Sequence, residues 1–369
     1  MFKVNDGDVA KLGQLMDRAG SAATLFAGYN RGSGPNELGE GLLGMLAAPL
    51  DRWQALAEAN TSKAANLGTA CGKELRATAA FYRTTDTAAE TRMDAGYPYA
   101  ASRKLLPGEV VAPDGAGDFS DWEDAAADPR DPSRKYAGPP PPTEPLDGWP
   151  VGIEELLDRL SGLSSVAGHV RDFVVKVAGG DPFNVIVTLV SGDWKLLMTQ
   201  GMTFEDTAVA FERIKQNVAR GSYAIQDSWE GNAASAAENW LADYYYAAGA
   251  HATFSRDAGW RIKNFATSAY HAFVALNIAV DALLDAVFDA LLIGAGPVVG
   301  GVISIFRGEN PLLAIASVLG AYKHVTDAID VLLALAHTVQ SVAEMVAGNG
   351  EIAAQSWPGE PYDHPGAQR

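Results

Sequence analysis

Several groups of residues in this chain have types and spacings that chemistry uses. Gly68-Thr69-Ala70-Cys71-Gly72-Lys73-Glu74 comes nearest to a phosphate-binding loop. Such a loop needs four residues between its glycines and a Ser or Thr after the lysine. Here there are three, followed by a glutamate. Gly294-x-Gly296-x-x-x-Gly300 misses the dinucleotide-binding spacing by one residue and follows no strand-like run. The histidines His169, His251, His271, His324, His337 and His364 show no paired metal-ligand spacing, and no His-Glu-x-x-His or Gly-x-Ser-x-Gly occurs. His251, close to Asp243 and Tyr244–Tyr246, is the most suggestive grouping and reads as polar packing on a helix surface. Asp281, Asp285 and Asp289 recur every four residues, which suits either a cation ridge or the solvated stripe of an amphipathic helix; the latter is adopted. The single cysteine, Cys71, excludes an intramolecular disulfide and a Cys-based zinc cage, and among helix formers it reads as a buried, inert thiol. No enzyme, metal or cofactor is expected.

Two further patterns suit recognition rather than catalysis. Trp229-Glu230-Gly231 falls where two long helical patterns meet. Glycine alone tolerates left-handed backbone angles there without a Cβ clash, and an indole can wedge between the two helices. Tyr82-Arg83-Thr84-Thr85-Asp86 puts a tyrosine and a carboxylate four residues apart, on one face if the helix continues. Tyr223 and Asp227 satisfy the same spacing just before the Trp-x-Gly turn, and we read that copy as packing.

The elements that would position these residues are helical. Val9, Leu12, Leu15, Met16, Ala19, Ala23 and Phe26 follow helical spacing. Asn30-Arg31-Gly32-Ser33-Gly34-Pro35-Asn36 is a turn, and a second helix follows with Leu50, Trp53, Leu56, Leu67, Leu75 and Tyr82 on its apolar side. Residues 1–96 therefore read as an antiparallel hairpin with one face left to cover. Residues 97–150 are rich in Gly, Pro, Asp and Glu, and Pro139-Pro140-Pro141-Pro142 is stiff and extended; this reads as a flexible acidic linker. Residues 151–348 read as a bundle of long helices, with one helix over Ile153–Val177, a short apolar piece at Phe183–Val190, and helices over Asp193–Asp227, Asn232–Leu292 and Leu312–Val346. Residues 349–369 read as a loose tail. Ala290–Phe306 carries no charge but is broken by glycines and a proline, so it reads as a buried turn, with a membrane-inserting tip as the alternative.

Bulk properties narrow the function. The 369 residues are 48% hydrophobic and 20% charged, enough for a real core. With 28 Lys and Arg against 45 Asp and Glu, the formal charge is −17, which disfavours nucleic acid. The start, Met1-Phe2-Lys3-Val4-Asn5-Asp6, lacks the basic and apolar regions of a Sec signal peptide.

Trp229-Glu230-Gly231, with Asp193-Trp194-Lys195 before it and Asn232-Ala233-Ala234 after it, resembles the WXG superfamily of type VII secretion substrates. Residues 1–96, ending in Tyr82-x-x-x-Asp86, are similar to the small secretion-associated (EspC-like) hairpin proteins, although their own turn has no Trp-x-Gly. The resemblance covers residues 1–96 and, less fully, 180–260. It implies an actinobacterial protein exported to the medium or cell envelope, with Tyr82 and Asp86 as the export signal and Trp229 and Gly231 as the helix-turn motif. It also implies recognition by the secretion ATPase, with a small helical-hairpin partner or chaperone, or self-assembly, as further contacts. In related heterodimers the two motifs lie on different subunits and meet on docking. Here one chain carries both, so the expectation is that the hairpin docks on the bundle. The rival expectation is a membrane-active effector whose C-terminal helices insert or oligomerise.

Overall fold

In the computed structural model the described residues are 3–32, 38–85, 87–96, 119–127, 153–166, 168–294 and 311–364. They are all-α apart from one very short ladder. In chain order the helices are α1 (Asp6–Gly32), α2 (Gly41–Thr84), α3 (Thr87–Ala95), α4 (Ile153–Ser161), α5 (Gly168–Ala178), α6 (Pro182–Val190), α7 (Trp194–Ala224), α8 (Asn232–Gly294) and α9 (Pro311–Ser356). Strands β1 (Lys3–Val4) and β2 (Trp229–Glu230) pair antiparallel, with Val4 opposite Trp229 and Lys3 opposite Glu230.

Local chemistry explains several boundaries. Asn5 accepts the Gly7 N–H at 3.0 Å where α1 begins. Asp181 accepts from Asn184 N at 3.3 Å ahead of α6, with Pro182 in the first turn, where its missing N–H costs nothing. Asp193 does the same for α7, accepting from Leu196 N at 2.8 Å. Pro49 sits inside α2, eight residues beyond its start, and α2 continues through it.

Small residues let α1 and α2 lie close. A Cβ on Gly20 would fall 2.6 Å from Thr69 N, and one on Gly13 would fall 3.0 Å from the Gly72 carbonyl. Glycine at both positions brings backbone to backbone, and successive approaches run up α1 and down α2. One core cluster joins α1 and the C-terminal half of α2 to the later part of α7 and the early part of α8, through Leu15, Phe26, Leu75, Phe211, Val218 and Tyr244. The other joins the start of α2 to α4–α7, the rest of α8, and α9 through Trp53, Phe183, Trp194, Phe273 and Leu332. Trp53 donates its indole N–H to Ala343 O at 3.1 Å, and Arg52 pairs with Glu344 and Glu351 at 2.7 and 2.6 Å, tying α2 to α9.

Four expectations change. The single helix over Ile153–Val177 is instead α4, a 3-10 turn at Gly162–Ser165, and α5. Glycines at 162 and 168 weaken the helix where the apolar side must turn toward α6 and α8. Residues 349–364 are not loose: α9 runs to Ser356, and Trp357, Tyr362 and His364 are buried. Their aromatic surface outweighs the two prolines as a determinant. Within the expected linker, residues 119–127 are packed, burying Phe119 and Ala125. The remainder of 97–118 and 128–152, the glycine-rich core of the Asn30–Asn36 turn, and residues 295–310 lie outside the described residues. Finally, His251 is buried rather than on a helix surface, its ring 4.4 Å from Phe211, because it lies on the α8 face turned toward α7.

Candidate functional site

Gly231 has φ +137°, in the region that suits glycine, and lets the chain reverse from β2 into α8. The N-terminus of α8 has no capping side chain of its own. Asp94, at the end of α3, supplies one from far away in sequence: its carboxylate accepts from Asn232 N at 3.1 Å and Ala233 N at 2.9 Å. Asn232 returns a bond from Nδ2 to the Asp94 carbonyl at 3.0 Å. An anion at a helix N-terminus is favoured by the orphaned N–H groups and the helix dipole. A Cβ on residue 231 would fall 2.7 Å from that carboxylate, so glycine is required both for its angles and for space.

Trp229 is 1% exposed, and its ring meets Tyr82 in an edge arrangement with centroids 6.2 Å apart. Its indole N–H has no hydrogen-bond partner among the described residues, which is uncommon for a buried donor. From the other side, Asn5 N donates to Ser228 O at 2.8 Å, Lys3 Nζ bonds the Asp227 carbonyl, and Arg83 reaches Asp6 at 2.8 Å. The N-terminal strand, the end of α2, α3 and the Trp-x-Gly turn therefore meet at one junction.

Residues 357–364 lie across this junction as a strap. Trp357 donates to Asn60 Oδ1 at 2.9 Å, and Trp240 donates to Glu360 O at 2.8 Å. The Tyr362 hydroxyl lies 3.4 Å from Ala233 O, and His364 N donates to Glu74 Oε1 at 3.0 Å. His364 Nε2 lies 3.0 Å from the Tyr82 hydroxyl, and its ring packs 5.3 Å from that of Tyr82. Burial pushes the imidazole down to about 4, although Asp363 and Asp94 pull it the other way, so it is neutral at pH 7.

Of the sequence-predicted residues, Tyr82, Trp229 and Gly231 are thus brought together. Asp86, the expected partner of Tyr82 on one helix face, lies outside the described residues. α2 ends at Thr84, Thr85 is extended, and a separate helix starts at Thr87. Asp94, His364, Tyr362 and β1 were not foreseen. The aromatic density of Trp357, Tyr362 and His364 was the available signal for the strap, whereas nothing local marks Asp94 as a cap for a helix 138 positions away.

Comparison with protein families, curated proteins and solved structures finds no match to this chain. Among the described residues no group of three or more His, Cys, Asp or Glu could hold a metal ion. Cys71 is buried and its thiol pKa is pushed well up by burial, so the thiolate a nucleophile needs is suppressed. Asp281, Asp285 and Asp289 stand exposed along α8.

Proposed function

We propose that this chain is a type VII secretion substrate of the WXG superfamily that works by contacts. The observation that carries the reading is the meeting of Tyr82 and Trp229, 6.2 Å apart, in one junction. On this reading residues 1–96 form an EspC-like hairpin, the helices after residue 150 form a WXG-type bundle, and the two dock within one chain. The pair so formed does in one polypeptide what two partner subunits do in the relatives it resembles. The secretion ATPase is the proposed reader. Because Tyr82 is covered by the strap, the reader engages it once the strap lifts.

The test is export from a host carrying the secretion system. Wild type is compared with Tyr82→Ala and Trp229→Ala, each with a normal circular dichroism spectrum in the cytosolic fraction. The expected result is wild-type protein in the medium and both variants retained. Equal export of all three, or none of the wild type, overturns the reading.

A second reading, a membrane-active effector, is favoured by exposed apolar residues at the ends of two adjoining helices: Phe288 on α8, and Leu312, Leu313 and Leu319 on α9. α9 is also long and apolar enough to cross a bilayer, with 33% of its most apolar window buried. Dye release from liposomes at acidic pH tests it; no leakage and no lipid co-flotation ends it.

A further inference from the structure

Residues Phe119-Ser120-Asp121-Trp122-Glu123-Asp124-Ala125-Ala126-Ala127 lie across α1 and α7, held in the manner of a bound peptide. Buried Asn217 reads their backbone twice: its Oδ1 accepts from Trp122 N at 3.0 Å, and its Nδ2 donates to Glu123 O at 2.9 Å. Three arginines gather around the segment in a protein of net charge −17. Arg18 donates to Phe119 O at 2.6 Å and pairs with Asp121 at 3.1 Å. Arg213 pairs with Glu123 at 2.6 Å and donates to Asp124 O at 3.2 Å. The Arg220 guanidinium stands 5.6 Å from the Trp122 ring centre. Phe119 and Ala125 are buried as apolar anchors.

The segment does not fill its seat. One cavity of about 150 Å³ opens beside Ala125 and Ala126, walled by Leu15, Ala19, Ala22 and Ile214. Another, of about 280 Å³, lies beside Trp122 and Glu123 against Val209 and Arg256. Both open to solvent, and each mixes apolar walls with charged ones: Arg18, Asp121 and Asp124 in the first, Glu212, Arg213 and Arg256 in the second. Residues 97–118 and 128–152 separate the segment in sequence from α3 and α4.

We propose that the α1–α7 groove is an exchangeable docking site for an acidic, aromatic-containing peptide of a partner protein, and that residues 119–127 are its resident ligand. The partner differs from this chain at one place. A second copy would bring the same Ala125 and leave the cavity open, whereas a partner with leucine or methionine there fills it. Recognition is by backbone pairing to Asn217, carboxylates against Arg18 and Arg213, and an indole beside Arg220. Tethering gives the resident segment a high effective concentration, so the incoming peptide must bind more tightly to displace it. This inference is independent of the export reading and can fail without it.

The probe is the nonapeptide of residues 119–127, fluorescein-labelled, in native form and with Ala125→Leu. The receptor is the full chain with Phe119→Ala, Asp121→Ala, Trp122→Ala and Glu123→Ala, which removes the resident segment's aromatic anchor, ion pairs and indole contact and weakens its hold on the seat. Anisotropy is expected to show saturable binding that weakens with salt. Affinity should rise about tenfold for the leucine peptide, as burial of added apolar carbons predicts, and binding should be lost when Arg213→Ala is added to the receptor. In the wild-type chain, excess leucine peptide should raise hydrogen exchange in residues 119–127. That measurement stands even if the receptor variant folds poorly. Absence of saturable binding to a folded receptor, no preference for the leucine peptide, or unchanged exchange in the wild type overturns the proposal.

Discussion

Lowering pH should release the strap, and His364 sets the size of the effect. Docked, its imidazole is held neutral with a pKa pushed to about 4, while a released, solvated histidine titrates near 6.5. Between these values the released state binds a proton that the docked state does not. Docking is therefore at full strength above pH 6.5 and weakens as pH falls toward 4. At 1.36 kcal/mol per pKa unit, moving from pH 7 to 4.5 removes about 2–3 kcal/mol. The assay is hydrogen exchange over residues 357–364, corrected for the intrinsic effect of pH. Protection should fall by one to two orders of magnitude, and His364→Gln should flatten most of that change. Glu74, Asp94 and Asp363 also face or flank the ring, so the glutamine variant isolates the imidazole's share. Equal protection at both pH values, or identical titration of wild type and His364→Gln, refutes the reasoning.

Three other substitutions follow from the same geometry. Gly231→Ala should cost about 1–3 kcal/mol by thermal melt, since it strains a backbone at φ +137° and drives a methyl into the Asp94 carboxylate. In an Asp94→Ala background the same change should cost measurably less, and strict additivity would show that the clash is not the cause. His251→Leu should leave Tm unchanged or raise it, by up to about 1 kcal/mol of stability, because both ring nitrogens are buried without hydrogen-bond partners among the described residues; a clear fall would contradict that account. Trp357→Ala should destabilise by about 3–5 kcal/mol, losing a buried ring and the bond to Asn60, and a loss under 1 kcal/mol would mean that the strap is not part of the cooperative fold.

The parts of this fold that were legible in the sequence are those fixed by local rules. Heptad-like spacing in Leu12, Leu15 and Met16 marks α1, and the Trp-x-Gly turn with its alanines marks the α7–α8 reversal. What stayed hidden depends on distant partners. Asp94 becomes a helix cap only because α3 ends beside Gly231. Residues 119–127 look like acidic linker until Arg18, Arg213 and Asn217 are seen to receive them. The Tyr82-x-x-x-Asp86 spacing presumes a continuous helix, but α2 ends at Thr84 and Thr85 is extended; the signal there was the low helix propensity of the threonines, which a reading by spacing alone passes over. Trp357 and Tyr362 were visible as aromatics, yet the flanking Pro358 and Pro361 outvoted them in a reading that weighed only the local backbone.

The junction at Trp229 also imposes an order on assembly. Lys3 meets Asp227 across 224 positions, and His364 meets Tyr82 across 282. Pairings of such separation form late and slowly, because a long loop must close before any contact repays the entropy. During synthesis the N-terminal strand waits for residues 227–230, and the face of Tyr82 that meets His364 stays uncovered until residue 364 is made. A nascent chain therefore displays the tyrosine to a chaperone before Trp229 is made, and both rings without the strap until residues 357–364 follow. Closure of the strap marks the moment at which the polypeptide passes from one set of contacts to the other.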